Sequence, residues 1–346
     1  HRRPYEVYGA QVQPLGYAQR AGWTRLPLYW RAIRRLEAQA RERPFDVLHA
    51  LWAHEPGFVA TAAGRRIGTP VLVSLLGGEL TRLPDIGYGG QLSVANRLLI
   101  ARALRRATSV IVGSEMVKRL AAKSVAAERL LRLPLGVDLR RFSPDRPGGE
   151  AERRLDGDPA ILHVASLSPV KDQPLLLEAF ASVSLTFPNA RLHVVGDGPL
   201  RGELEARCRG LDLAAAVTYH GAVDHGDLPA YYRAADFCAL ASRFESQCMV
   251  VLEAAACARI TVGTAVGVLP ELAGTCVEPE NQGALAAALA DAVRDRERTK
   301  REGRRWQRRV AERYGLEASV ARLEDLYAQV SRPARAGRAS SAAPPA

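Results

Sequence analysis

The sequence predicts an α/β fold made of two domains, each a parallel sheet layered with helices. Three observations carry that expectation. Short runs rich in Val, Ile and Leu alternate with longer segments of 3.6-residue periodicity from about residue 45 to about residue 300, the pattern of strands alternating with amphipathic helices. The chain has 346 residues, about twice the length of a typical domain. Between its halves, Leu133–Pro147 (LPLGVDLRRFSPDRP) carries Pro and Gly with no periodicity and runs into Gly148 and Gly149, which reads as an interdomain linker.

In chain order, the candidate strands are Asp46–Ala50, Pro70–Leu75, Ser109–Gly113, Ala160–Ala165, Arg191–Val195, Val217–His220, Asp236–Leu240 and Ile260–Gly263, with helices between them. A first helix over Arg25–Arg41 puts Leu26, Tyr29, Trp30, Ile33 and Leu36 on one face with Arg31, Arg34 and Arg35 beside it. That pattern suits first a core-packed helix with solvated arginines, and second a helix lying on an anionic membrane surface, a reading lifted only by the charge surplus of the first half. Gln282–Val330 is helical and charged. The expected divisions are 1–145, 146–312, a last helix over 313–330 crossing back to the first domain, and a tail over 331–346. The tail, rich in Ser, Ala, Pro and Arg, cannot bury enough apolar surface to order itself.

With 47% hydrophobic and 25% charged residues, the composition is that of a globular protein. No apolar run approaches the ~18 residues a membrane-spanning helix needs. The net charge of +11 is unevenly placed: residues 1–150 hold 24 Lys and Arg against 12 Asp and Glu, and residues 151–346 hold 24 against 25. The first half should therefore face something anionic: nucleic acid, an acidic lipid surface or a phosphorylated substrate. Nucleic acid is the weakest of these, because no recognition motif or aromatic stacking array accompanies the arginines. Cys208, Cys238, Cys248, Cys257 and Cys276 are odd in number and lack a Cys-x-x-Cys pair, which points to reduced thiols in a cytosol rather than disulfides or zinc.

Ligands of an open parallel sheet bind beyond the carboxyl ends of its strands, so the residues after each strand are the candidates. After Ala160–Ala165 comes Ser166-Leu167-Ser168-Pro169-Val170-Lys171-Asp172, where a lysine can meet a diphosphate as a point charge. After Arg191–Val195 comes Gly196-Asp197-Gly198-Pro199, whose glycines permit a tight turn and close backbone approach. The strand ending near Ala241 leads through Ser242-Arg243-Phe244-Glu245-Ser246-Gln247-Cys248-Met249 into a helix, whose start, around Met249 and Val250, favours phosphate. Glu253 lies inside that helix among Val250-Val251-Leu252 and Ala254-Ala255-Ala256-Cys257, and a carboxylate in so apolar a setting needs a partner. No carboxylate cluster has metal-binding spacing, so no metal is expected.

The string SLSPVKDQPLLLEAF, then VVGDGPLRGELE, then Glu245 and Glu253 with seven residues between them, then TAVGVLPELAG resembles the donor-binding domain of family-four retaining glycosyltransferases of the GT-B fold. PLGVDLRRFSP resembles that family's linker, and FDVLHALW with VLVSLLGGEL its acceptor-side domain. The resemblance implies two Rossmann-like domains facing across a cleft. It implies that Glu253 binds the nucleotide ribose, Lys171 the diphosphate and Glu245 the transferred sugar, while backbone around Gly221–Val223 meets the base. Ser166 stands where the family usually has Arg, and Arg243 is a nearby candidate substitute. Ser246-Gln247-Cys248 replaces the family's Gly-Phe-Gly. Leu76 stands where a histidine is often found, which makes His54 the candidate histidine of the acceptor side. The family's opening strand and glycine-rich loop have no counterpart in this sequence, so the first domain is expected to lack its opening strand.

The expected activity is retaining transfer of a sugar from a UDP- or GDP-sugar to a hydroxyl acceptor, lipid-linked or on a growing glycan, without a further cofactor. The expected location is cytoplasmic, with peripheral attachment at the inner membrane face. Two other classes stay open: a nucleotide-sugar-binding pseudoenzyme, suggested by Ser166 and Leu76, and a basic membrane-surface binding module, suggested by the charge of the first half.

Overall fold

A computed structural model describes residues 4–14, 26–145, 154–272 and 276–331. A short antiparallel hairpin, β1 (Tyr5–Val7) and β2 (Ala10–Val12), precedes helix α1 (Leu26–Glu42). The chain then alternates as β3 (Leu48–Leu51), α2 (Glu55–Ile67), β4 (Val71–Leu75), α3 (Val94–Arg106), β5 (Ser109–Val112), α4 (Glu115–Ala121) and β6 (Leu130–Arg132). The strands β3-β4-β5-β6 form one wholly parallel sheet in that order. The hairpin and β6 were not foreseen: each strand is three residues long, too short to show a periodicity. Arg25, the expected start of the first helix, lies outside the described residues.

The first sheet is covered on both faces, and its alternating residues show how. Val71, Val73 and Leu75 of β4, with Val110 and Val112 of β5, enter a core shared with Ile33 of α1, Ala60 and Ala63 of α2, Leu104 of α3 and Val117 of α4. Leu72 and Ile111 point the other way and meet Leu326. Leu326 belongs to the last helix, α12, defined below, so burying it there contributes on the order of 2 kcal/mol to holding that helix on this sheet.

After the linker come β7 (Ala160–Val164), α5 (Gln173–Thr186), β8 (Arg191–Val195), α6 (Arg201–Gly210), β9 (Val217–Gly221), α7 (Leu228–Ala234), β10 (Phe237–Leu240), α8 (Met249–Ala256), β11 (Thr261–Gly263) and α9 (Leu269–Leu272). The second sheet is also parallel, in the order β11-β10-β7-β8-β9. The winding direction reverses between β7 and β10, two strands adjacent in space, so the loops leaving their carboxyl ends part and open a crevice. The segment Gln282–Val330, expected to be helical and charged with a last helix over 313–330, resolves into α10 (Gln282–Arg294), α11 (Arg296–Arg313) and α12 (Leu316–Ser331). Asn281 caps the start of α10 by accepting from Ala284 N, Asp295 divides α10 from α11 and caps α11 by accepting from Arg298 N, and Tyr314 and Gly315 divide α11 from α12.

The chain passes between the sheets twice, at the linker and before α12, and the two passages touch. Val137 N donates to Tyr314 O at 2.8 Å and Leu316 N donates to Val137 O at 2.9 Å. Glu271 of α9 ties the same region together, accepting from Glu115 N at 2.8 Å and from the Tyr314 hydroxyl at 3.0 Å, and pairing with Arg132. The tail over 332–346 and the expected boundary at 146 lie outside the described residues. No described helix is long and apolar enough to cross a membrane.

Candidate active site

The loops leaving β7 and β10 meet in one ion pair. After β7 the chain makes a single tight turn, Pro169–Lys171, and Asp172 takes a left-handed conformation (φ 49°) that swings it into α5. The turn delivers Lys171 Nζ to 2.5 Å from Glu245 Oε1 on the loop after β10. Ser242 Oγ donates to the same carboxylate oxygen at 2.8 Å. Both charged side chains are mostly buried, 22% and 13% exposed, so the pair sits where water screens it little. Below it, His163 Nδ1 donates to Ala239 O at 3.0 Å, which leaves Nε2 to face the Gln173 side-chain amide at 3.4 Å. Burial, with the charge of Lys171 adding to it, pushes the His163 pKa down to about 4, so this histidine is a neutral strut.

Glu253 has the partners that its apolar helix demands. It is buried in α8; Tyr232 of α7 donates its hydroxyl to Oε2 at 2.9 Å and His225 Nε2 lies 2.9 Å from Oε1. Burial and then the Glu253 charge raise the Tyr232 pKa far above the ordinary phenol range, so the hydroxyl remains a donor. Phe142 of the linker packs on both partners, with ring centroids 5.1 Å from His225 and 6.0 Å from Tyr232. His225 and Tyr232 were missed in the sequence because they lie 28 and 21 residues before Glu253, on a different element.

The β10–α8 loop is stitched to the first sheet. Ser246 Oγ donates to Leu76 O at 2.6 Å, and Ser114 Oγ, while capping α4, donates to Ser246 O at 2.6 Å. The buried Gln247 amide accepts from Leu135 N at 2.8 Å and donates to Leu135 O at 2.7 Å. Opposite Glu245, the loop after β4 is shaped by Glu79, a second residue that sequence reasoning missed. Its buried carboxylate accepts from Gly77 N at 2.8 Å and Leu76 N at 3.2 Å. Tyr88 lies on the same loop, and burial, then Glu245, then Glu79 push its pKa up to about 12.

The other expected positions lie as follows in the structure. The Arg243 guanidinium, the candidate substitute for the arginine missing at Ser166, pairs with Asp85 and, at 2.9 Å, with Glu280. Ser166 is exposed, with its hydroxyl 3.3 Å from that of Ser168. His54 stacks on Trp52 (centroids 6.4 Å apart), its Nδ1 is 2.6 Å from Glu55 Oε2, and the structure does not bring it into the Lys171–Glu245–Ser242 cluster. Gly196 and Gly198 serve close approach, but to the chain itself. A Cβ on Gly196 (φ 129°) would lie 1.9 Å from Ala165 O, and one on Gly198 would lie 2.5 Å from Leu167 O. Gly221 (φ 73°) has open space around it, and Val223 packs against the second-domain core. Met249 and Val250 form the first turn of α8, half-buried. Cys248, just before them, holds φ 71°, the left-handed backbone that favours glycine, and its thiol is buried. Among the described residues no three His, Cys, Asp or Glu converge as a metal-ligand set.

Comparison with known proteins agrees with this geometry on both sides of the crevice. The model of the glycosyl transferases group 1 family matches residues 150–309, and that of the glycosyl transferase 4-like domain matches residues 1–136. The chain belongs to the GT-B glycosyltransferases. A GDP-mannose-dependent alpha-(1-6)-phosphatidylinositol monomannoside mannosyltransferase of Mycobacterium tuberculosis is 30% identical over 260 residues, 70% of this chain and 66% of that protein. A D-inositol 3-phosphate glycosyltransferase of Kineococcus radiotolerans is 29% identical over 84% of this chain and 73% of that protein. A sucrose-phosphate synthase structure from Thermosynechococcus elongatus superimposes with a TM-score of 0.79 at 20% identity, over 94% of this chain and 85% of that one, which shows the shared two-sheet glycosyltransferase fold. The chain spans just under two thirds of the length of the mycobacterial relative.

Proposed function

We propose that this glycosyltransferase moves a sugar from a UDP- or GDP-sugar to a hydroxyl acceptor, with retention at the anomeric carbon. The observation that carries the reading is the Lys171–Glu245 pair at the switch point of the second sheet, with Glu245 four residues before the start of α8. Lys171 and the first-turn N–H groups of α8 supply positive potential for a diphosphate leaving group. Ser166 is neutral and Arg243 pairs with Asp85 and Glu280, while Lys171, paired with Glu245, is the candidate cation by its place on the loop after β7. Glu253 accepts from the ribose hydroxyls, Glu245 orients the transferred sugar, and backbone at Gly221–Val223 meets the base. The departing phosphate oxygen takes the acceptor proton, so the protein supplies charge stabilisation and water exclusion rather than a strong base.

The residue roles, the division of the chain at 145/146, and a cytoplasmic location at the inner membrane face all belong to this proposal. A lipid-linked acceptor is consistent with the phosphatidylinositol mannoside acceptor named for the mycobacterial relative and with the positive charge of residues 1–150. The test is incubation with radiolabelled UDP- and GDP-sugars and a panel of hydroxyl acceptors, with the product's anomeric configuration read by NMR. Sugar transfer with retention is expected. Binding of the donors without turnover would favour the pseudoenzyme reading, and inversion would overturn the mechanism.

A further inference from the structure

Outside the crevice, the outer surface of the first domain holds a cavity of about 350 Å³ where α2 packs between α1 and α3. Its floor is apolar and aromatic, formed by Tyr29 and Ile33 of α1 and Phe58 of α2. Its rim is cationic: Arg65, Arg102 and Arg106 line it, and Arg102 lies over the Phe58 ring at 5.9 Å. The fourth arginine there, Arg66, is already engaged, paired with Glu37 at 2.8 Å and stacked on Trp30 at 4.7 Å. Among the described residues no acidic side chain lines the cavity. Like charges held together repel, and Arg106 registers it, its pKa lowered by desolvation and by the charges of Arg102, Arg65 and Arg105. Guanidinium groups grouped without a counter-charge are suited to a phosphate, which they bind through paired N–H donors.

The surroundings of the cavity identify the carrier of that phosphate. Large apolar side chains stand in the open beside these arginines: Leu26 at 42% and Trp30 at 51% exposed line the cavity from α1, and Val94 at 61% and Leu98 at 67% lie on α3, the helix that carries Arg102 and Arg106. Val94, Leu98 and Arg102 are spaced four residues apart, so they form one stripe along α3. A free phosphate or a nucleic acid has no use for that apolar border. A lipid surface does, because indole and aliphatic side chains enter the headgroup layer while arginines meet its phosphates.

We propose that this α1–α2–α3 groove binds the phosphate of an anionic glycerophospholipid and docks the first domain on the bilayer. The proposal deepens the membrane-peripheral reading above and does not depend on sugar transfer. It also moves the anchor from Arg31, Arg34 and Arg35 of α1 to Arg65, Arg102 and Arg106 of α2 and α3. Arg35 donates Nε to Gln13 Oε1 at 2.9 Å, and neither it nor Arg31 or Arg34 lines the groove.

The experiment is sedimentation with vesicles of phosphatidylglycerol and phosphatidylcholine, compared with phosphatidylcholine alone. The parent should bind the anionic vesicles and lose binding as salt rises. Each basic residue near such a surface is worth roughly fivefold in partitioning, so Arg65→Gln/Arg102→Gln/Arg106→Gln should lower it by roughly a hundredfold. Arg31→Gln/Arg34→Gln/Arg35→Gln should lower it less. A second variant, Val94→Ser/Leu98→Ser, changes only exposed side chains and should lower binding severalfold. Quenching of Trp30 fluorescence by brominated lipid, absent in Trp30→Phe, should place the groove in the headgroup layer.

Parent-like vesicle binding by the groove triple variant, or a larger loss in the α1 variant, would overturn the groove and leave a membrane-peripheral enzyme standing. No binding to anionic vesicles would remove both. Equal displacement by inorganic phosphate, or tighter binding to RNA than to vesicles, would overturn the lipid as occupant. Transfer to a soluble acceptor should be unchanged in the groove variants, which separates this proposal from the catalytic one.

Discussion

Lys171 and Glu245, 74 residues apart in sequence, join the two loops that diverge from the switch point of the second sheet, with Nζ 2.5 Å from Oε1. The pair unites the residue that would hold a diphosphate with the one that would hold the sugar. Losing a charged hydrogen bond costs ~1.5–3 kcal/mol, about ten- to hundredfold. Lys171→Ala should weaken nucleoside-diphosphate binding by that factor. Glu245→Ala should lower kcat more than it weakens the nucleotide. Steady-state kinetics with calorimetry on each variant checks the split, and unchanged kinetics in both would remove the pair from the mechanism.

Glu253 and Tyr232 give a prediction of two kinds. Tyr232→Phe removes a hydroxyl donor from a buried carboxylate and should destabilise the fold by ~1.5–3 kcal/mol, read from urea denaturation. Glu253→Ala should weaken nucleotide-sugar binding about ten- to hundredfold, and Lys171→Ala should be at least as damaging. A Tyr232→Phe variant that melts like the parent would mean that Glu253 does not rely on this donor.

Cys248 places a side chain at a left-handed backbone position, φ 71°, just before α8. Alanine keeps the strain and removes the thiol; glycine removes both. Cys248→Gly should therefore be more stable than Cys248→Ala by about 1 kcal/mol, the cost of holding a Cβ in that region. Thermal melts of the two variants suffice, and the reverse order would show that the αL backbone is not strained.

His163 is buried, with its pKa lowered from 6.5 to about 4. Below pH 6.5 the unfolded chain takes up this proton before the folded one, so stability present above pH 6.5 is lost as pH falls towards 4. The loss amounts to roughly 3 kcal/mol for this group at the lower end. His163→Gln, which keeps an N–H for Ala239 O, should flatten that part of the stability curve. Parallel slopes for parent and variant between pH 7 and pH 4.5 would contradict the assignment.

Most of the frame was legible because buried parallel strands such as Val71–Leu75 and Ala160–Val164 are written as Val, Ile and Leu runs. Lys171, Glu245 and Glu253 were legible as positions because candidates follow the carboxyl ends of strands. Their partners were not. Tyr232 reaches Glu253 only once α7 packs on α8, and Gln247 binds Leu135 at a separation of 112 residues. Arg243 shows the same limit in reverse: its neighbours in sequence suggested a phosphate ligand, yet Asp85, 158 residues away, claims its charge. Glu79, four residues past the end of β4, carried no signal in the sequence, and it becomes a cap only when Leu76 N and Gly77 N turn towards it.

The most direct measurement is calorimetric titration of GDP and UDP into the parent and into Lys171→Ala. If a nucleoside diphosphate binds in the crevice at the β7–β10 switch point, the parent binds at least one of the two, and the variant binds that nucleotide about ten- to hundredfold more weakly. A parent that binds neither nucleotide, or a Lys171→Ala variant that binds as the parent does, would contradict the account.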